Sequence, residues 1–174
     1  QQLASPMSRT LVIWPGDRQE QVVDHFGDIL GWDATERRQF ATRAGSTVPE
    51  ATDGVFLPGK YVVPKDTDPA TAAALVRDRF SDNVLARYPA STEDTLPLKD
   101  TLIIASLLER EAYSFSDMRE IAGVIWNRLF IDMNLQLDAT LPYAKGTIPS
   151  TPVWWPPVRP ADKFIDSPFN TYQH

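Results

Sequence analysis

The sequence has no cysteine, which excludes disulfides, thiolate metal sites and cysteine nucleophiles. Histidine is nearly absent too. Only His25 and His174 are present, so a histidine-rich metal centre is not expected, and a Ser-His-Asp triad would have to use one of these two. His25 falls within an amphipathic helical pattern and His174 is the last residue. No apolar run approaches the roughly 18 residues of a membrane span, and no secretory leader pattern is visible at Gln1. Positive charge is also short. The net charge is −6 with a pI near 4.9. Residues 1–90 carry 10 basic and 12 acidic side chains, and residues 91–174 carry 7 and 11. Neither half offers the basic footprint of a nucleic-acid binder.

What is present reads as an ordinary globular chain. Its 174 residues, 43% hydrophobic and 23% charged, suffice for one domain or two small ones with a real core. The abrupt start at Gln1 and stop at His174 suggest a piece of something longer.

Periodicity gives the element order. RTLVIWPGD reads as a short strand ending in a Pro-Gly turn. Val22, Val23, Phe26, Ile29 and Leu30 then recur at helical spacing, with Gly31 at the C-cap position. Asp33 or Thr35 can cap a second helix, ATERRQFATRAG. VFLPGKYVVPKD holds two short strand-like pieces broken by proline and glycine. Asp68 or Thr67, with Pro69, opens a third helix through Tyr88, with Ala73, Val76, Phe80, Val84 and Tyr88 on one face. PASTEDTLP reads as a polar linker. The expected class is α+β: a small βααβ module (1–66), a linking helix and linker (67–95), and a helix-rich mixed α/β part (96–174).

The stretch from Ser106 to Tyr143 carries the chemistry. Leu98 to Ala112 reads as a core helix, apolar around most of its circumference and covered on several sides. Ile104, Leu107, Leu108 and Glu111 fall at i, i+3, i+4 and i+7, so Glu111 ends the apolar stripe. Glu109 points toward Lys99, Ser106 and Arg110. A partly desolvated carboxylate favours its protonated form, as a general acid requires. A helix-end ion pair with Arg110 or Arg128 explains Glu111 equally well. Ser116 is the expected N-cap of a helix over 116–131, on which Asn127 points away from the buried stripe. Asn134, Gln136, Asp138 and Thr140 then alternate with Leu135, Leu137, Ala139 and Leu141, which predicts a strand or extended piece with one polar face. In the tail, Trp154 and Trp155 beside Pro156 and Pro157 suit either stacking on sugar rings or packing as a lid on the core.

ASLLEREA, GVIWNRL, MNLQLDATLPY and DSPFNTY, in this order and at these spacings, resemble the endolytic murein transglycosylases, the YceG-like family. DGVFLPGKYVVPKD is similar to that family's segment ahead of its catalytic part, and VIWPGD with the βααβ order resembles a LysM-like module. The likeness spans about residues 10–174. It implies a lytic transglycosylase that cleaves the MurNAc-GlcNAc bond within peptidoglycan strands and leaves 1,6-anhydro-MurNAc ends. The family's catalytic glutamate matches Glu111. Its substrate-binding positions match Asn127, Gln136, Asp138, Thr140, Asn170 and Tyr172. Ala112, Ala139 and Phe169 depart from the family's usual Thr, Pro and Tyr. The resemblance further implies no metal or cofactor, peptidoglycan glycan strands and possible peptidoglycan synthases as partners, and a place at the extracytoplasmic face of the cytoplasmic membrane through an N-terminal anchor not in this chain. It also implies a catalytic part cut short at its C-terminus, because the family's L-P-P-G stretch is not reached. Two other readings stay open: a non-catalytic peptidoglycan-binding or scaffold protein of the same fold, and a lysozyme-type hydrolase with Asp138 as second carboxylate.

Overall fold

A computed structural model describes residues 7–48, 53–148 and 153–174. The chain divides into two compact units, residues 1–103 and 104–174.

In the first unit, strand β1 (Ser8–Ile13) pairs antiparallel with β2 (Gly59–Pro64). Leu11 stands opposite Tyr61, and both are buried. Helices α1 (Gln19–Leu30) and α2 (Ala34–Gly45) lie between the strands in sequence. The region read as two β-rich pieces supplies this one strand. Gly31, with φ 73°, ends α1 in the left-handed conformation that glycine adopts without steric cost. Asp33, rather than Thr35, caps α2: its Oδ1 accepts from the Thr35 and Glu36 N–H groups at 2.7 and 2.9 Å, and Glu36 reaches back to the Asp33 N–H at 2.8 Å. These reciprocal bonds satisfy donors that a bare helix start leaves orphaned.

Helix α3 (Pro69–Asn83) is capped by Asp68. The Thr71 hydroxyl and the Ala70 and Thr71 N–H groups hold that carboxyl below the usual carboxylate range. The third helix stops short of Tyr88: Val84 ends it, and a 3-10 turn follows at Leu85–Arg87. α3 contributes Ala72, Ala73, Val76 and Phe80 to the same core as Leu11, Phe26, Phe40, Phe56 and Tyr61. At its centre Phe40 has ring centroids 5.2 Å from both Phe26 and Trp32. Truncating one such ring typically costs about 3–5 kcal/mol. PASTEDTLP contains one further helical turn, α4 (Ala90–Glu93).

Helix α5 (Leu98–Glu111) is less covered than its composition predicts. Leu102 is its one buried residue, Leu107 and Leu108 are half-buried, and Ile103 is exposed. In the second unit α6 (Phe115–Phe130) starts one residue before the expected position, because Ser114 rather than Ser116 caps it, accepting from the Asp117 N–H at 3.2 Å.

The expected strand through Gln136 and Asp138 is not formed, and among the described residues the second unit contains helices but no strand. The backbone bonds of this segment go elsewhere. The Arg128 guanidinium donates to the Leu135 carbonyl. The Gln136 N–H donates to the Thr171 carbonyl at 2.9 Å, and the Leu137 N–H to the Thr171 hydroxyl at 2.9 Å. Gln136 takes φ 51°, a left-handed conformation that breaks any strand. Thr140 then opens α7 (Thr140–Gly146), with Pro142 in its first turn, where no backbone donor is needed. Ile125, Leu141, Ala144 and Pro156 are among the buried apolar residues of the unit. Among the described residues, no helix of either unit is long and apolar enough to cross a membrane.

Candidate active site

The apolar stripe of α5 carries Glu111 to the helix end in a half-buried position, while Glu109 is exposed. The Ala139 N–H donates to Glu111 Oε1 at 2.7 Å. This bond crosses 28 positions of sequence and fixes one carboxylate oxygen on the turn that opens α7. Beside it lies a cavity of about 290 Å³, lined by Arg110, Glu111, Tyr113, Asp138, Ala139 and Pro142 among others. Glu111 therefore shares one cavity with a second carboxylate, one guanidinium and an exposed phenol. Such a set suits an acid–base site for a polar ligand.

The polar residues picked out in the sequence have several different positions. Asp138 lines the cavity and accepts from the Tyr172 hydroxyl at 2.6 Å. That bond, and burial after it, push the Tyr172 phenol above its ordinary pKa of 10.0, against the pull of the Lys163 ammonium 4.4 Å from the ring centroid. Thr140 is buried, donates to the Leu137 carbonyl at 2.7 Å and lies 3.0 Å from the Thr171 hydroxyl. Gln136 is exposed and tied through its backbone to Thr171. Asn170 is wholly buried. Its Nδ2 donates to the Lys163 and Ile165 carbonyls at 3.1 and 2.8 Å, and its Oδ1 accepts from the Tyr172 N–H at 3.0 Å. Asn170 is thus employed as a backbone staple, and no side-chain atom is left exposed to a ligand. Asn127 is exposed on α6 and makes no side-chain hydrogen bond with a described residue. Neither asparagine lines the cavity.

Three features were not foreseen. Ala139, noted only as a departure from a motif, contributes its backbone N–H to Glu111. Tyr113 stands fully exposed at the cavity. Arg110 stacks on Trp155, its guanidinium carbon 3.8 Å from the ring centroid, and Trp155 in turn lies 6.0 Å from the Tyr143 ring. Away from the cavity, Lys145 and Asp162 pair at 3.0 Å. Burial would raise the Asp162 carboxyl, but the Arg159 N–H and the Lys145 ammonium outweigh it and hold the group below the usual range. Among the described residues no cluster of acidic side chains or histidines could hold a metal ion.

The YceG-like family model matches residues 1–174. This chain belongs to the YceG-like family. Its relatives include an endolytic murein transglycosylase of Streptococcus pneumoniae, 30% identical over 122 residues, which covers 70% of this chain and 22% of the relative. Another endolytic murein transglycosylase, from Bacillus subtilis, is 41% identical over 73 residues, 42% of this chain and 19% of the relative. The chain thus spans about a fifth of the length of the curated relatives it matches. The fold is similar to that of a YceG-like protein of Listeria monocytogenes, solved by crystallography at 2.6 Å, with a TM-score of 0.70 and 25% identity over 95% of this chain and 59% of that one.

Proposed function

We propose that this YceG-like chain is the glycan-cleaving part of an endolytic murein transglycosylase, with Glu111 as general acid and then base. The supporting observation is the half-buried Glu111 carboxylate, held by the Ala139 N–H beside a polar cavity. Relatives named endolytic murein transglycosylases supply the substrate class.

Protonated Glu111 donates to the glycosidic oxygen between N-acetylmuramic acid and N-acetylglucosamine. The C–O bond breaks, and positive charge develops at the anomeric carbon in an oxocarbenium-like transition state. The Glu111 carboxylate then takes the proton of the same sugar's 6-hydroxyl, whose oxygen closes on the anomeric carbon. The product is a 1,6-anhydro end, and no water is consumed. The Ala139 N–H keeps the carboxylate oriented through both transfers. Asp138, Gln136, Thr140 and Tyr172 are the polar residues around the substrate path, Thr140 and Gln136 through the backbone they order. In this reading residues 1–66 form a LysM-like module, residues 67–95 a connection and residues 96–174 the catalytic part. The protein works at the extracytoplasmic face of the cytoplasmic membrane.

A second reading rests on Asp138, a carboxylate lining the same cavity. A lysozyme-type hydrolase would use that pair with water. Mass spectrometry of digested glycan strands decides between them. Anhydro ends support the transglycosylase, reducing ends the hydrolase, and undigested strands leave a binding module of the same fold.

A further inference from the structure

Arg110 lines the cavity next to Glu111, yet it has no ion pair or hydrogen bond with any described residue. Its guanidinium is nevertheless placed. Trp155 lies beneath it, with the guanidinium carbon 3.8 Å from the ring centroid. Such a stack occupies one flat face of the guanidinium and leaves its N–H donors, which lie in the plane, pointing outward. The arrangement resembles a preformed fork for a planar anion, since a carboxylate matches guanidinium geometry with two parallel hydrogen bonds. Among the described residues that line the cavity carrying Glu111 and Asp138, Arg110 is also the one basic residue, on a chain of net charge −6. An anionic ligand group entering there needs a local cation to offset both carboxylates.

We propose that Arg110, held over the Trp155 ring, binds a carboxylate borne by the glycan ligand and makes the cavity selective for strands that carry one. The proposal rests on the murein reading for its ligand. Two parts of such a strand offer this chemistry: the lactyl carboxyl of the muramic acid sugar and the carboxyls of its peptide stem. Arg110 is a specificity residue here, and Trp155 is its positioning partner.

The test is equilibrium binding in a Glu111→Gln background, so that no strand is consumed. Three strand preparations are compared. The first carries intact peptide stems. The second has its stems removed, freeing the lactyl carboxylate. The third is stemless with the lactyl carboxyls converted to methylamides. Adding Arg110→Gln should weaken binding of a carboxylate-bearing strand about tenfold, the scale of one charge-assisted hydrogen bond, and leave the methylamide strand unchanged. The preparation that shows the loss, stemmed or stemless, identifies the source of the carboxylate. Arg110→Lys should recover only part of the affinity, because the ammonium lacks the planar fork. Trp155→Phe should keep more of the selectivity than Trp155→Leu, which removes the ring. An equal loss on charged and neutral strands, or no loss on any, overturns the proposal. Turnover is measured separately on the parent chain. Without turnover the transglycosylase reading falls, while charge-selective binding through Arg110 still stands or falls on the affinities.

Discussion

Tyr172 donates its phenolic proton to Asp138, with Oη 2.6 Å from Oδ1, although 34 positions separate the two in sequence. The bond joins the C-terminal turn to a residue that lines the cavity. It occupies one Asp138 oxygen, so the carboxylate is anchored to the Tyr172 phenol within the lining it shares with Glu111.

This pair has an alkaline signature. The Asp138 hydrogen bond, followed by burial, raises the Tyr172 pKa above 10.0. A raised pKa means that the folded state holds the proton more tightly than the unfolded state. The stabilisation is therefore fully present below pH 10.0 and is lost as pH rises through the folded-state value. Subtracting the phenolate absorbance titration of Tyr172→Phe from that of the parent should isolate a component titrating above 10.0. A Tyr172 component that titrates at or below that value, or no such component at all, would break the link to Asp138.

Asn170 should behave as a structural residue. Replacing it with alanine leaves the Ile165 carbonyl and the Tyr172 N–H without their present partners, while the Lys163 carbonyl loses one donor and keeps the Gln173 amide at 2.9 Å. Unsatisfied buried groups cost about 1–3 kcal/mol each, so with some compensation by water, a loss of about 2–4 kcal/mol is expected in Asn170→Ala. Hydrogen exchange localises the effect: protection should fall at Tyr172 and its surroundings while the core around Phe40 is untouched. Undiminished protection near Tyr172 together with weakened ligand binding would return Asn170 to a direct ligand role.

The parts of this chain that could be read in advance are those whose signals are local. The short β-branched run of RTLVIWPGD, closed by its Pro-Gly turn, placed Leu11 and Ile13 on a strand, Gly31 ended its helix, and the heptad-like stripe set Glu111 apart from Glu109 by face. The alternation after Asn134 misled because period two records only that successive side chains face opposite ways. It does not identify what the backbone bonds to. Here those bonds go to Arg128 and Thr171, and no neighbouring strand takes part. Asn170 and Tyr172 belong to one short motif, yet one is wholly buried and the other holds Asp138. Their neighbourhood separates them, and no pattern of residue types contains it. The Arg110–Trp155 stack spans the unit in the same way. Paired tryptophans allowed packing or sugar stacking, and nothing in their spacing named an arginine as what Trp155 would hold.

Glu111 and Glu109 provide the most discriminating test of the site, because the same chemical change can be made on two faces of one helix end. Glu111→Gln keeps the shape of the side chain and can still accept from the Ala139 N–H through its amide oxygen, but it has no proton to give. General acid–base catalysis contributes ~10²- to 10⁴-fold in rate, so cleavage of glycan strands should fall by at least that much, with strand affinity retained. Glu109 is exposed and does not line the cavity, so Glu109→Gln should leave turnover within about twofold of the parent, as expected for a side chain outside the reacting geometry. Equal losses in both variants would point to damage at the end of α5, which circular dichroism would register. A loss confined to Glu109→Gln would move the acid to the other face. Unchanged turnover in Glu111→Gln would remove the acid from this helix altogether, because the amide cannot supply the proton on which the proposed C–O cleavage depends.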